Sequence, residues 1–325
     1  MNALRIVFMG TPDIAVPTLQ ALHTAKHNIV GVFCQPDKEK GRGKKVQMPP
    51  VKEAALALGL PVYQPVSLRT DEAQALLEEL APDLVIVIAY GKILPSWLIH
   101  QPRYGCINLH ASILPKYRGA APVQYAIWQG DTITGMTIMQ MDEGLDTGDI
   151  LEVREISVTE LMTSAELFDA LAELGGAMIP HTIDKLVAGE LSPIPQNNEH
   201  ATHTGKITKE MGLIDWTGEA HEIACRIRAF NASPGCFTFL QGKRIKLWLA
   251  VEDMDSPYSR GKGGTMMCMY PQPGAVVSVQ DNSFSVITGR GVVRVLEVQP
   301  ENKKRMSAGD FIRGHQIKVG TYFGV

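Results

Sequence analysis

Short apolar runs alternate with stretches of helical periodicity through the first half of the chain. Residues 4–10 (LRIVFMG) form an apolar run ending in a glycine, and residues 13–25 (DIAVPTLQALHTA) then space their apolar positions as one helix face. Residues 28–35 (NIVGVFCQ) are a second strand-like run, 50–59 a helix with Gly59 at its end, and 60–64 a short strand. Residues 70–80 (TDEAQALLEEL) predict a helix capped by Thr70 or Asp71, with acids in its first turn. Residues 83–90 (DLVIVIAY) are apolar at nearly every position, as a central parallel strand covered on both faces should be. Residues 105–110 (GCINLH) predict the next strand, 121–130 a helix and 134–141 (TGMTIMQM) another strand. Repeated βα units imply an α/β domain built on an open parallel sheet with right-handed crossovers.

The pattern then changes. Residues 163–189 read as a long helix interrupted at Gly175-Gly176 and Pro180, where a kink or break is expected. Residues 190–208 are rich in Pro, Asn, His and Thr and read as a linker. After a helical stretch at 217–230, with Thr217 as its N-cap, five short strand-like runs follow at 236–241, 243–250, 274–280, 283–289 and 291–299. Turn residues separate them, so residues 209–325 predict a small antiparallel β domain, a barrel by its strand spacing. Residues 1–189 form the first domain in this reading.

Composition narrows the class. Of 325 residues, 45% are hydrophobic and 20% charged, which is globular and sufficient for two cores. No apolar run reaches the length of a membrane span, and the N-terminus shows no secretory leader pattern. Five scattered cysteines without a CxxC pair suit a reducing cytoplasm and argue against a disulfide frame or a zinc ribbon. Nothing resembling a coiled coil appears, so a monomer is expected. The net charge of −3 is uneven: residues 1–202 carry 15 Lys and Arg against 23 Asp and Glu, and residues 203–325 carry 16 against 11. An acidic first part joined to a basic second part suggests that the second meets a polyanion, although a mildly basic domain also arises without one.

Three segments carry candidate chemistry. In the strand at 105–110, Asn108 and His110 are two residues apart and share one face. Ligands bind open α/β sheets beyond the carboxyl ends of the strands, where His110 sits. An amide and a protonated imidazole are both donors able to stabilise an oxyanion; a strand end closed by polar side chains is the plainer alternative. Residues 141–150 (MDEGLDTGDI) follow a predicted strand, and their spacing does not fit an EF-hand. Asp142, Glu143 and Asp149 read as solvated turn acids. Asp146, between Gly144 and Gly148, sits where a loop can bring it to His110, to orient the ring and favour its charged form. Residues 34–52 (CQPDKEKGRGKKVQMPPVK) place Lys38, Lys40, Arg42, Lys44 and Lys45 in a loop longer than usual for such a connection. That loop is either a solvated charge run or a partner for a phosphate backbone. Gly10 serves a tight βα turn without a G-x-G-x-x-G pattern, His23 and His27 lack a third metal ligand, and Cys106 reads as a buried thiol. Residues 254–274 form a loop-like insertion without an assigned role.

Taken together, INLHASILPKYRGAAPVQYAI and DEGLDTGDI resemble the formyltetrahydrofolate-dependent formyltransferase and hydrolase family over roughly residues 4–190. PDKEKGRGKK and IDWTGEAHEIACRIRAFNASPGCFTF are similar to the branch that formylates methionine carried on initiator tRNA. The resemblance implies a Rossmann-like first domain and an OB-like barrel that contacts the tRNA backbone. It implies Asn108, His110 and Asp146 as the catalytic set, with no metal. It implies that Ser112, Ile113, Leu114 and Pro115 contact 10-formyltetrahydrofolate and that Lys92 and Leu94 line its pterin pocket, chiefly through backbone. It implies that the loop of Lys38, Lys40, Arg42, Lys44 and Lys45 enters the acceptor-stem groove of methionyl-initiator tRNA. Ile113 stands where leucine is common, a change that a backbone contact tolerates. A sugar-nucleotide formyltransferase would share the chemistry but not a polyanionic acceptor. A nonenzymatic RNA-binding protein would leave the three polar residues idle, and a dehydrogenase lacks its glycine fingerprint.

Overall fold

The computed structural model describes residues 4–40, 45–231, 233–259 and 271–324. Arg42 and Lys44 lie outside the described residues, as do the side chains of Lys40 and Lys45. The chain divides into two compact units. The first comprises Met1–Pro122, Thr134–Ile156 and Phe168–Thr204, and the second Val123–Ile133, Ser157–Leu167 and Gly205–Val325.

From the N-terminus the elements are β1 (Arg5–Gly10), α1 (Val16–Thr24), β2 (Asn28–Phe33), β3 (Lys38–Lys40), β4 (Lys45–Gln47) and α2 (Pro50–Ala57). They continue with β5 (Val62–Tyr63), α3 (Asp71–Leu80), β6 (Leu84–Ile88), α4 (Ser96–His100) and β7 (Cys106–His110). Next come β8 (Arg118–Gly119), α5 (Pro122–Trp128), β9 (Ile133–Gln140), β10 (Ile150–Ser157), α6 (Ser164–Ala188) and β11 (His203–Thr204).

Seven of these strands form one sheet in the order β10-β9-β7-β6-β1-β2-β5. β6 is buried at every position and sits between β1 and β7, both parallel to it. That is the environment its unbroken LVIVI run predicts. The sheet is not parallel throughout: β9 runs antiparallel to β7, pairing Asn108 with Met139 and His110 with Thr137. From Glu152 on, β10 alternates half-buried and exposed residues, as an edge strand with one wetted face does. On one side of the sheet Val7, Phe33, Val85, Tyr90, Leu94 and Leu98 belong to a common apolar core.

Thr70 caps α3 by accepting from the Ala73 amide at 3.3 Å, as its position predicts. α6 departs from expectation, because it runs unbroken for 25 residues through Gly175, Gly176 and Pro180. The glycines serve close approach. A Cβ on Gly175 would lie 3.2 Å from Leu109 Cδ2, and one on Gly176 3.1 Å from the Pro17 carbonyl oxygen. The basic segment also departs from a simple loop, since β3 and β4 form an antiparallel ribbon pairing Lys38 with Gln47.

In the second unit α7 (Ala220–Ala229) precedes β12 (Cys236–Leu240), β13 (Lys243–Glu252), β14 (Val276–Gln280), β15 (Ser283–Ile287), β16 (Val292–Pro300), β17 (Met306–Ser307) and α8 (Ala308–His315). Glu219, not Thr217, occupies the N-cap position of α7. The Thr217 hydroxyl instead donates to Asp215 at 2.7 Å, because the local turn satisfies it first. All five predicted strands are present, in the antiparallel order β12-β13-β16-β15-β14. The C-terminal segment joins the two edges. Thr321 O accepts from Val276 N at 2.8 Å, Phe323 N donates to Gly274 O at 2.8 Å, and Gly324 N donates to Phe239 O at 3.0 Å. The segment thus bonds to both edge strands, while among the described residues β12 and β14 do not themselves pair and the sheet order is open.

Candidate active site

β7 delivers two polar side chains to the carboxyl edge of the sheet. Asn108 and His110 are 9% and 6% exposed, while Leu109 between them is buried. The strand ends there because the Ser112 amide turns back onto the His110 carbonyl at 2.9 Å. His110 Nε2 donates to the Tyr117 carbonyl at 2.9 Å, a role the acceptor-only carbonyl dictates. Nδ1 then faces the Asp146 carboxylate at 3.7 Å, too far for a hydrogen bond but close enough for a charge pair. The ring can therefore donate from Nδ1 only when both nitrogens carry protons, which is the cation. Asn108 makes no side-chain hydrogen bond among the described residues, so its amide is available to a ligand.

Asp146 arrives from the loop between β9 and β10. Its backbone is left-handed, with φ 55°, a region that aspartate tolerates better than most residues. The Gly119 amide donates to its Oδ2 at 2.8 Å. Gly148 is needed for the loop's path, since a Cβ there would lie 1.7 Å from the Gln140 carbonyl oxygen. Two other acids of the loop have different partners. Asp142 accepts from the Gly144 amide at 3.0 Å and from the Thr147 hydroxyl at 2.6 Å, and Glu143 lies 3.7 Å from His100 Nε2.

The connection after β7 is held from within. Thr137, opposite His110 on β9 and fully buried, donates to the Ser112 carbonyl at 2.6 Å and accepts from the Leu114 amide at 3.1 Å. The Ser112 hydroxyl donates to Lys116 O at 2.6 Å, and Leu114 is buried beside a cis Leu114–Pro115 bond. Ser112 and Leu114 therefore stabilise the loop, and its outward surface is backbone with the half-buried Ile113 and Pro115.

Lys92 donates its ammonium to the Pro65 carbonyl. Burial lowers the Lys92 pKa, with the nearby Lys38 charge adding to the shift and Cys34 opposing it. Leu94 points into the apolar core, which leaves only its backbone for a ligand. The ribbon's base is pinned: Lys52 Nζ contacts Asp37 Oδ2 at 2.8 Å and donates to Gln64 Oε1 at 2.7 Å. The hydrogen bond from Lys52, followed by that from Gln64, holds the Asp37 carboxyl below its ordinary range. Lys38 is exposed at the start of the ribbon.

Sequence reasoning misses four residues around this site: Thr137, Tyr117, Arg118 and Gln196. The last falls in the stretch read as a linker, where periodicity carries no signal. That stretch is tied to the first unit, for Arg118 N donates to Thr202 O at 2.8 Å and β8 pairs with β11. Cys106 donates to the Leu98 carbonyl at 3.3 Å, and burial pushes its thiol up to about 12, which makes it inert. Among the described residues, no group of three or more His, Cys, Asp or Glu is placed to hold a metal ion. No helix of the described chain is long and apolar enough to cross a membrane.

Residues 4–183 match the formyl transferase family, and residues 206–316 match the formyl transferase C-terminal domain. A methionyl-tRNA formyltransferase of Agathobacter rectalis is 44% identical over 98% of this chain and 99% of its own length. One from Hydrogenovibrio crunogenus is 44% identical over 98% of both chains. Among solved structures, the sugar 3N-formyl transferase WlaRD, crystallised with dTDP and 5-N-formyl-THF, superposes with a TM-score of 0.64 at 18% identity, covering 94% of this chain and 100% of its own. HypX from Aquifex aeolicus in complex with tetrahydrofolic acid gives 0.62 at 18% identity, covering 98% of this chain and 48% of its own. At such identity the two structures speak to fold alone.

Proposed function

The chain belongs to the methionyl-tRNA formyltransferase family, and on that premise we propose that it transfers the formyl group of 10-formyltetrahydrofolate to the free amine of methionyl-initiator tRNA. The observation that carries this is the likeness to those relatives over the full length of both chains. The three polar residues at the sheet's edge supply chemistry that fits.

The neutral amine attacks the formyl carbon, forming a new C–N bond, and negative charge gathers on the formyl oxygen. The Asn108 amide and the Nδ1–H of cationic His110 donate to that oxygen, while Nε2–H stays on the Tyr117 carbonyl. Asp146, 3.7 Å from Nδ1, is the counter-charge. Collapse expels the folate N10, which gains the proton the amine loses; a water beside Asp146 would serve as relay. Donors aimed at a developing oxyanion are each worth about 10²–10³ in rate.

The loop of Ser112 to Pro115, with the backbone at Lys92 and Leu94, is assigned to the folate. The basic segment carrying Lys38, Lys40, Arg42, Lys44 and Lys45 and the basic second unit are assigned to tRNA phosphates. The four described cysteines are all buried and unpaired, which suits a reducing cytoplasm. The enzyme is taken to act as a monomer, to be checked by sedimentation. The deciding assay follows labelled formyl from 10-formyltetrahydrofolate into methionyl-tRNA, with free methionine and amino sugars as controls. Transfer to an amino sugar in preference to methionyl-tRNA would overturn the assignment.

A further inference from the structure

We propose that Gln196, aligned by the buried Arg118, is the positioning residue for Asp146. This rests on the reading of Asp146 as the charge partner of His110. Gln196 Nε2 donates to two carbonyls of the loop, Asp146 O at 2.9 Å and Gly148 O at 2.7 Å. Its own orientation is fixed from behind. The guanidinium of Arg118 can only donate, and it gives Nε and Nη2 to Gln196 Oε1 at 3.1 and 2.7 Å. Arg118 is 3% exposed, and its Nη2 also donates to Asn198 Oδ1 at 2.9 Å.

The three residues 117–119 thereby hold both members of the pair. The Tyr117 carbonyl takes the His110 ring, the Gly119 amide takes the Asp146 carboxylate, and the Arg118 side chain reaches the Asp146 backbone through Gln196. Asp146 needs this support because its left-handed backbone is adopted by few non-glycine residues unless the surroundings hold it. Released from Gln196, the loop can relax toward commoner dihedrals and carry the carboxylate away from Nδ1.

The amide at 196 is chemically specific. Glutamate there would still bind Arg118, and would do so as an ion pair. It would, however, turn an acceptor toward the carbonyls of Asp146 and Gly148. Gln196→Glu should therefore keep the anchor and lose the alignment, and Gln196→Met should lose both at similar size.

Both variants are compared with wild type by steady-state kinetics of formyl transfer, melting temperature and binding of a folate analogue. The expected result is a fall in kcat of about tenfold or more, since small misplacements of a catalytic group cost rate on that scale. KM for both substrates should stay within about twofold, the pattern of an interaction needed only in the transition state. In the glutamate variant the melting temperature should hold. A lowered melting temperature with kcat intact in either variant would make Gln196 a structural residue and overturn the proposal. His110→Ala measured in parallel separates the failures. If it is inactive while both Gln196 variants keep full kcat, the positioning role alone is refuted. If it keeps full activity, the reading of the site falls and this proposal with it.

Discussion

Thr137→Val removes one hydroxyl and almost no volume. In wild type that hydroxyl donates to Ser112 O at 2.6 Å and accepts from Leu114 N at 3.1 Å, inside a fully buried site. The valine leaves a carbonyl and an amide unpaired, each costing about 1–3 kcal/mol, against about 0.8 kcal/mol regained from the extra buried methyl. The net loss is about 1–5 kcal/mol. Because both groups lie on the loop assigned to the folate, part of the loss should appear as loop opening that ligand binding has to reverse. At about 1.4 kcal/mol per tenfold, the Kd for a formyl-folate analogue should rise about tenfold or more. Titration calorimetry gives that Kd, and circular dichroism checks that the sheet remains. Thr137→Ser keeps the hydroxyl and should bind folate much as wild type does. A valine variant with unchanged melting and folate affinity, or a serine variant as impaired as valine, would refute the reasoning.

Salt and the ribbon give a second test: log affinity for methionyl-tRNA should fall with log salt by about 0.7–0.9 per neutralised phosphate, and Arg42→Ala should weaken tRNA use while sparing folate binding. Gly176→Leu should lower stability by about 1–3 kcal/mol through overpacking, read from urea midpoints, because the Pro17 carbonyl oxygen lies only 3.1 Å from where its Cβ would sit. Burial pushes the Cys34 thiol up to about 11 and the Cys236 thiol up to about 12. Their folded pKa values lie above the unfolded one, so the folded state holds those protons longer; the stabilisation is full below about pH 8.5 and is lost as pH rises toward the folded values. The fall in urea midpoint from neutral to alkaline pH should be smaller in Cys236→Ala than in wild type.

Much of the fold is legible because burial on both faces writes itself into composition. β6 is apolar throughout and central, and Thr70 marks the start of α3. β10 is less visible, since it is an edge strand whose LEVREIS run carries charge at Glu152, Arg154 and Glu155. The long helix misleads because a glycine pair suggests a break when read alone, whereas here it lets α6 approach Pro17. In the site, period-two alternation puts Asn108 and His110 on one face, and glycines flag the loop carrying Asp146. The partners of that pair are illegible. The Tyr117 carbonyl and the Gly119 amide are backbone groups, and Gln196 acts from fifty residues away along the chain. Their roles arise from tertiary placement, which leaves no periodic signature.

Formyl transfer to methionyl-tRNA is assigned to the set His110, Asn108 and Asp146. Single-turnover transfer of labelled formyl from 10-formyltetrahydrofolate to methionyl-tRNA, wild type beside His110→Ala, tests it most directly, with folate affinity measured on the same preparations. Rapid transfer is expected of the wild type, and in the variant a rate lower by about 10²–10³ or more with folate still bound. A variant that transfers at the wild-type rate, or a wild type that leaves methionyl-tRNA unformylated, would contradict it.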